Sequence, residues 1–276
     1  MYDPNNYCTS VINKEIYNKK GNSFPERFVD VISDPNNVFI KRGEDAGKTE
    51  GDLVILHNGV KVVKNGYYGS FSDILVLNKG VHEPAEERLF QIVLTDIEDN
   101  GTMLELGSYW AFYSIWFNKH IRNAKNYCIE PEQVNLELGI KNCAINNVTA
   151  DFTKGFIGSG HINVSDFLRD KHIDALDILH SDIQGYELQM LEQITELLLL
   201  QKIKYLFIST HSDDIHYKCI ALLKSCKYRI IASADFETET FCYDGIIVAC
   251  HESNLTIGTY NLGNRKFTPL RKTPYY

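Results

Sequence analysis

The sequence predicts an α/β fold: a Rossmann-like, mostly parallel sheet of seven strands with helices on both faces, preceded by an N-terminal accessory α+β segment. Three observations predict it. From about residue 84, short apolar runs alternate with longer stretches whose apolar residues recur at helical spacing. Glycine, proline or asparagine punctuates most of the changes. The last two apolar runs are joined only by an acidic loop too short for a helical crossover, so that pair is expected to be antiparallel.

The segment 1–83 is polar and irregular, rich in Asn, Gly and Lys. Within it, Ser23 is placed to cap a short helix over 25–32. The β-rich runs 52–56 and 60–63 flank His57-Asn58-Gly59, which is the signal of a hairpin. This segment is expected to serve as a lid or as a contact in a homo-oligomer. The domain proper is expected over 84–255. Pro84 suits a first helical turn, followed by Leu89, Ile92, Val93 and Ile97 on one face. After Asn100-Gly101 comes a strand at 103–106, and then an aromatic helix through Trp110, Phe112, Tyr113, Ile115 and Trp116. Strands follow at 127–129, 148–150, 175–180 and 205–208, with helices expected after 127–129, after Gln184-Gly185 and over about 213–226, and the closing hairpin pairs 228–232 with 245–249. Residues 256–276 read as a basic, exposed tail.

Bulk properties narrow the function. With 276 residues, 44% of them hydrophobic, the chain can bury a sizeable core. A net charge of −8 argues against a phosphate backbone as partner, so no nucleic acid is expected. No apolar run approaches the roughly 20 residues of a membrane span, and the first residues carry no secretory pattern, so a cytoplasmic location is expected. Seven scattered cysteines without a C-x-x-C pair suit reduced thiols.

In an open α/β sheet, ligands sit outside the carboxyl ends of the strands. Gly107, in Glu105-Leu106-Gly107-Ser108-Tyr109-Trp110-Ala111, allows a tight turn before a helix N-terminus with free N–H groups, although an ordinary strand-to-helix turn uses the same residues. Glu130-Pro131 puts a carboxylate directly after the second strand, where it either accepts the hydroxyls of a ribose or caps the next helix. Asp182 follows the fourth strand, placed to act as a general base or to orient one. His180 just before it is either catalytic or a buried, hydrogen-bonded histidine. Glu187 suits the dipole of the helix it opens. His211 follows the fifth strand on the same edge as Asp182, so the two form either a pair around an acceptor or unrelated polar contacts. The first loop lacks the G-x-G-x-x-G that a dinucleotide pyrophosphate needs, which argues against a dehydrogenase.

These residues resemble the FkbM family of S-adenosylmethionine-dependent methyltransferases over roughly residues 80 to 250. The most specific part is Val164-Ser165-Asp166-Phe167-Leu168, followed by the run from Ala175 to Leu191 with His180-Ser181-Asp182-Ile183-Gln184-Gly185-Tyr186-Glu187 at its centre. Glu105-Leu106-Gly107, Glu130-Pro131 and the closing hairpin of class I methyltransferases match as well. The resemblance implies S-adenosyl-L-methionine as cofactor and methyl transfer to a hydroxyl of a sugar, a glycan or another small metabolite. It implies Glu83 at the cofactor's ammonium group, unless Glu83 merely caps its helix. Glu105, Gly107, Ser108, Tyr109 and Trp110 would hold the methionine end, Glu130 and Pro131 the ribose, and Asp151 and Phe152 the adenine. Asp182, His211 and His180 would handle the acceptor. Two positions depart from the family: Tyr109-Trp110-Ala111 replace an Asn and a second Gly, and Gln184 replaces Glu. Two rival readings are a divalent-cation-dependent O-methyltransferase with Asp182 among the oxygen ligands, and a binding module whose site is degenerate.

Overall fold

Two sheets divide the strands of the residues that the computed structural model describes, 24–158 and 160–265. Ser23 and the last eleven residues of the sequence, 266–276, lie outside them. The small sheet is antiparallel, with β1 (Thr49–Glu50), β2 (Leu53–Ile55) and β3 (Lys61–Val63) in that order. Its β2–β3 pair is the hairpin that the Asn-Gly turn predicts, with Leu53 opposite Val63.

The main sheet holds β4 (Thr102–Leu106), β5 (Lys125–Glu130), β6 (Asp151–Lys154), β7 (Leu176–Ser181), β8 (Ile203–Thr210), β9 (Tyr228–Ala234) and β10 (Gly245–His251). Their spatial order is β6-β5-β4-β7-β8-β10-β9. The first five run parallel, while β10 runs antiparallel to both β8 and β9. This is the seven-stranded, mostly parallel Rossmann-like sheet with a reversed seventh strand. Reversal has a positional consequence: Gly245, the first residue of β10, lies opposite Thr210, the last of β8. The residue before β10 therefore falls on the edge where the parallel strands end.

Central strands are apolar on both faces because helices cover both. Met103, Ile178, Tyr205 and Phe207 pack on one side with Leu89 and Phe90 of the helix Pro84–Val93 and with Phe112, Ile115 and Phe117 of the helix Phe112–His120. Leu104, Leu179, Leu206 and Ile208 pack on the other with Leu168, Met190, Leu191, Cys219 and Leu223. Period-two alternation along each strand thus feeds two separate cores.

Among the described residues, the N-terminal segment has no core of its own. Val54, Leu56, Val62, Phe71 and Ile74 join the first cluster, and the side chains of Asn142 and Asn146 take up the amides of Val63 and Lys61. Residues after 255 differ from the exposed tail expected of them. Ile257 and Leu262 are buried, and Arg265 pairs with Asp30, so up to residue 265 the chain is packed back onto the first helix, Phe24–Ser33.

Three elements differ from expectation. The third strand falls at 151–154 rather than 148–150, because Val148 still bonds back to Cys143 to close the helix Gln133–Ile145. Trp110 precedes its helix, since Tyr109 and Ala111 adopt left-handed backbone angles. The long helix after Gly185 is two pieces, Glu187–Gln193 and Thr195–Leu199, meeting at Ile194. The six described cysteines are free thiols, and no helix among the described residues is long and apolar enough to cross a membrane.

Candidate active site

The loops after β4, β5, β7 and β8 meet at one edge of the main sheet. Gly107 must be glycine there: with φ at +72°, a Cβ would sit 1.8 Å from the carbonyl oxygen of Asp182. What approaches it is the chain after β7, so the glycine serves loop packing first. Gly107 and Ser108 donate their amides to the carbonyl of Ile129, and the Tyr109 amide donates to Glu130 Oε2 at 2.9 Å. Glu130 Oε1 accepts from the Glu132 amide at 2.9 Å, with Pro131 between the two carboxylate-bearing positions. Burial pushes the Glu130 carboxyl up, against these amide bonds. Asn135 Nδ2 also donates to Oε1, at 3.4 Å, so these partners fix the carboxylate's orientation and Oε2, with one donor, keeps a further lone pair.

Tyr109 is tied to the N-terminal segment. Its hydroxyl donates to the Gly66 carbonyl and accepts from the Tyr68 amide, both at 2.8 Å. Trp110 is buried against Tyr67 and His82 rather than lining the strand ends. Ser108 Oγ and Ser181 Oγ are buried without a hydrogen-bond partner, at the ends of β4 and β7.

Some expected site residues lie elsewhere. Glu105 accepts the amide of Ser114 at 3.0 Å, capping the helix Phe112–His120 from below. Burial pushes its carboxyl up to about 7, opposed by the charge of His180. Asp151 and Phe152 begin β6, so they sit at the opposite end of the strand from the ligand-binding edge, and Asp151 pairs with Lys171 at 2.6 Å. The correction follows from the three-residue shift of β6: Lys154-Gly155-Phe156 hold the place that an adenine-facing pair would need.

The strongest convergence is around His211. It is 4% exposed, and its Nδ1 lies 2.9 Å from Glu187 Oε1. Its Nε2 lies 3.3 Å from Asp182 Oδ1 and 3.3 Å from Asp244 Oδ1. Burial lowers this imidazole's pKa, but the charges of Glu187 and Asp244 and the contact with Asp182 outweigh it and raise it well above the usual histidine range. Burial likewise raises Asp182, yet His211 beside it and the charge of His180 hold it below the usual carboxylate range. Gln184 Nε2 donates to Asp182 Oδ1 at 2.8 Å, and the Gly185 amide steadies Glu187.

His180 faces the first-layer helices: its Nε2 is 2.6 Å from Glu86 Oε1, and burial lowers its pKa. Glu83 and Glu86 line a small recess with Ser209, Cys242 and Asp244. Burial pushes Glu83 up to about 8, and Glu86 well above its ordinary value. The Tyr113 hydroxyl donates to Glu83 at 2.9 Å. The structure therefore brings Glu83, Asp182 and His211 to one neighbourhood, adds Glu86, Asp244 and the buried Glu187, and leaves Glu105 and Asp151 outside it. Asp244 had a legible signal: it immediately precedes a strand expected to run antiparallel. Glu86 had only the helical spacing from Glu83.

No protein-family model matches this sequence, and no curated protein matches it. Among solved structures, the chain is similar to a precorrin-6y C5,15-methyltransferase from Geobacter metallireducens, with 13% identity, 60% of this chain and 88% of that one covered, and a TM-score of 0.44. It is similar to TrmK from M. capricolum in complex with S-adenosyl-homocysteine at 18% identity, covering 63% and 69% of the two chains with a TM-score of 0.39. A tRNA (uracil-54, C5)-methyltransferase from Pyrococcus abyssi, also with S-adenosyl-L-homocysteine, matches at 14% identity over 72% and 44%, with a TM-score of 0.44.

Proposed function

We propose that this chain is an S-adenosylmethionine-dependent O-methyltransferase acting on a hydroxyl of a sugar, a glycan or another small metabolite. The observation that carries the reading is the pairing of the reversed-strand sheet with an oriented carboxylate, Glu130, at the end of its second parallel strand. The resemblance of 164–191 to the FkbM family supports the same reading.

The residues present fit the cofactor. Glu130 Oε2 keeps a lone pair for a ribose hydroxyl, and Ser108 Oγ is a buried hydroxyl still lacking a partner. Ser108 with the Gly107 loop would hold the methionine end, and Phe156 stands where the adenine would meet the third parallel strand. Entry of the nucleoside requires the Tyr109 loop to lift, because Glu130 is only 4% exposed beneath it. When bound, the cofactor supplies an electrophilic methyl, which forms a C–O bond with the acceptor as the C–S bond breaks and its electron pair remains on sulfur. The acceptor hydroxyl is oriented by Asp182, whose ionised carboxylate takes its proton. His211, held by Glu187 on its other ring nitrogen, is not the base in this arrangement; it stands beside Asp182 and positions it.

Titration calorimetry with S-adenosylmethionine tests this directly. Binding is expected with the folded full-length chain, and Glu130→Gln is expected to weaken it about tenfold or more, the loss of one charge-assisted hydrogen bond. Absence of binding by a folded sample at millimolar cofactor sinks the proposal.

A further inference from the structure

We infer that Asp182, His211 and Asp244 form a binding site for one divalent cation of the manganese type. The three offer one nitrogen and two carboxylate oxygens, all within 4.8 Å of one another. His211 Nε2 is the informative atom. It is buried, it lies 3.3 Å from an oxygen of each aspartate, and it makes a hydrogen bond to neither. An imidazole built only to bridge two carboxylates would aim its N–H at one of them. Here the nitrogen is aimed between the two, as a ligand atom is. Around a cation with bonds of ~2.1 Å, neighbouring donors lie about 3 Å apart and opposite donors about 4.2 Å apart. The two nitrogen–oxygen spacings of 3.3 Å fall in that range.

The surroundings agree. A metal-bound histidine commonly donates its second ring N–H to a carboxylate, which fixes the tautomer and aims the other nitrogen. Glu187, fully buried and itself held by the Gly185 amide, stands 2.9 Å from His211 Nδ1 and takes that role. Gln184 does the same for Asp182, donating to Oδ1 at 2.8 Å. The departure from the family at Gln184 thus acquires a task, since an amide donates to a ligating carboxylate and a glutamate in its place would repel it. Two hard oxygens with one imidazole suit manganese better than a soft cation. Three protein ligands leave coordination positions open beside the small recess that Glu83, Glu86 and Ser209 share with Asp244.

The cation's task beside an acceptor hydroxyl rests on the methyltransferase reading, whereas the site itself does not. The test therefore uses the metal alone. Full-length chain, stripped with a chelator and dialysed, is titrated with manganese chloride while the electron paramagnetic resonance signal of free Mn²⁺ is followed. Uptake of one Mn²⁺ per chain is expected. Asp244→Asn should weaken it at least tenfold, and Glu187→Gln, as a positioning residue, by about 10- to 100-fold. Circular dichroism confirms that each variant is folded. A folded wild-type chain that takes up no Mn²⁺ at about 1 mM, or an Asp244→Asn chain that binds as wild type does, overturns the proposal. If S-adenosylmethionine still binds in that case, the methyltransferase reading stands without the cation.

Discussion

Two buried histidine–carboxylate clusters are composed in opposite ratios. In one, Glu87 stands between two histidines: His57 Nε2 at 2.9 Å and His82 Nδ1 at 2.7 Å, with side-chain exposures of 0–1%. The same carboxylate accepts the amides of His82 and Glu83 at 2.8 Å, and the two histidines hold it well below the usual carboxylate range despite burial. In the other, a single histidine, His211, stands among Asp182, Glu187 and Asp244, and the two aspartates keep exposures of 26% and 15%. The first cluster is sealed from solvent and sets one carboxylate against two histidines and two amides, which is how a protein uses a buried charge to fasten two segments. It joins the hairpin loop of the accessory segment to the helix Pro84–Val93. The second holds an excess of acceptors near solvent, which is how a site waits for a proton, a hydroxyl or a cation. Residue types alone do not separate a structural cluster from a functional one; the ratio of donors to acceptors, and access, do.

The largest expected contrast is in stability. Glu87→Gln leaves His57 and His82 without their shared charge and should cost roughly 3 kcal/mol, because one partner of a buried ionic network has been removed. Asp244→Asn should change stability by about 1 kcal/mol or less, since His211 keeps two other carboxylates. Urea unfolding of both variants measures the difference, and equal losses would erase the distinction drawn between the clusters.

A second contrast is with pH. Glu83, raised to about 8 by burial, and Glu105, raised to about 7, still hold protons where the unfolded chain has released them. Their contribution to stability is complete below roughly pH 4.3, the unfolded glutamate value, and is lost as pH rises through 7 and 8. His211, also raised, adds to the same slope, whereas Glu87 and Asp182 are lowered and lose their contribution only in more acid solution. Melting temperature should therefore fall between about pH 5 and pH 8, and Glu105→Gln should flatten the part of the curve ending near pH 7. Thermal melts monitored by circular dichroism across this range check the slope and its sign.

The smallest effect concerns the loop between the clusters. Tyr109→Phe removes the hydroxyl that joins Gly66 and Tyr68, and should cost about 1 kcal/mol. Under the proposed function it should also speed cofactor entry, because the loop over Glu130 is released. Stopped-flow measurement with S-adenosylmethionine reads that rate, and an unchanged rate would remove Tyr109 from the gate.

The parallel sheet was legible because each central strand carries a short apolar run, such as Met103-Leu104, Ile178-Leu179 and Leu206-Phe207-Ile208, and most crossovers carry helical spacing. Only β6 was misplaced: as an edge strand, Asp-Phe-Thr-Lys has no apolar run to mark it, and Val148-Thr149-Ala150 beside it does. That slip carried Asp151 and Phe152 to the wrong end of the strand. Glu130 and Asp182 fall at strand ends where the sequence places them, because the strand pattern alone locates those positions. Glu105 was assigned to the edge although its side chain alternates back into the core, where a helix amide takes it. Trp110 was expected at the site but belongs to the interface with the accessory segment, a contact between residues far apart in sequence. The Glu87 cluster was invisible for the same reason, since His57 and Glu87 meet only after the hairpin has folded against the helix.

One consequence of the reversed β10 concerns how such a site changes. Asp182 and His211 are delivered by parallel strands locked into the sheet's centre, where a shift of one residue would turn core side chains outward. Asp244 arrives from the opposite direction, at the end of the loop 235–244, whose length is not tied to any crossover helix. Two groups of the constellation are thus inherited with the fold, and the third is free to be retuned by loop length alone. A lineage built on this sheet has, in that single loop, a place to exchange one acceptor for another while its framework stays unchanged.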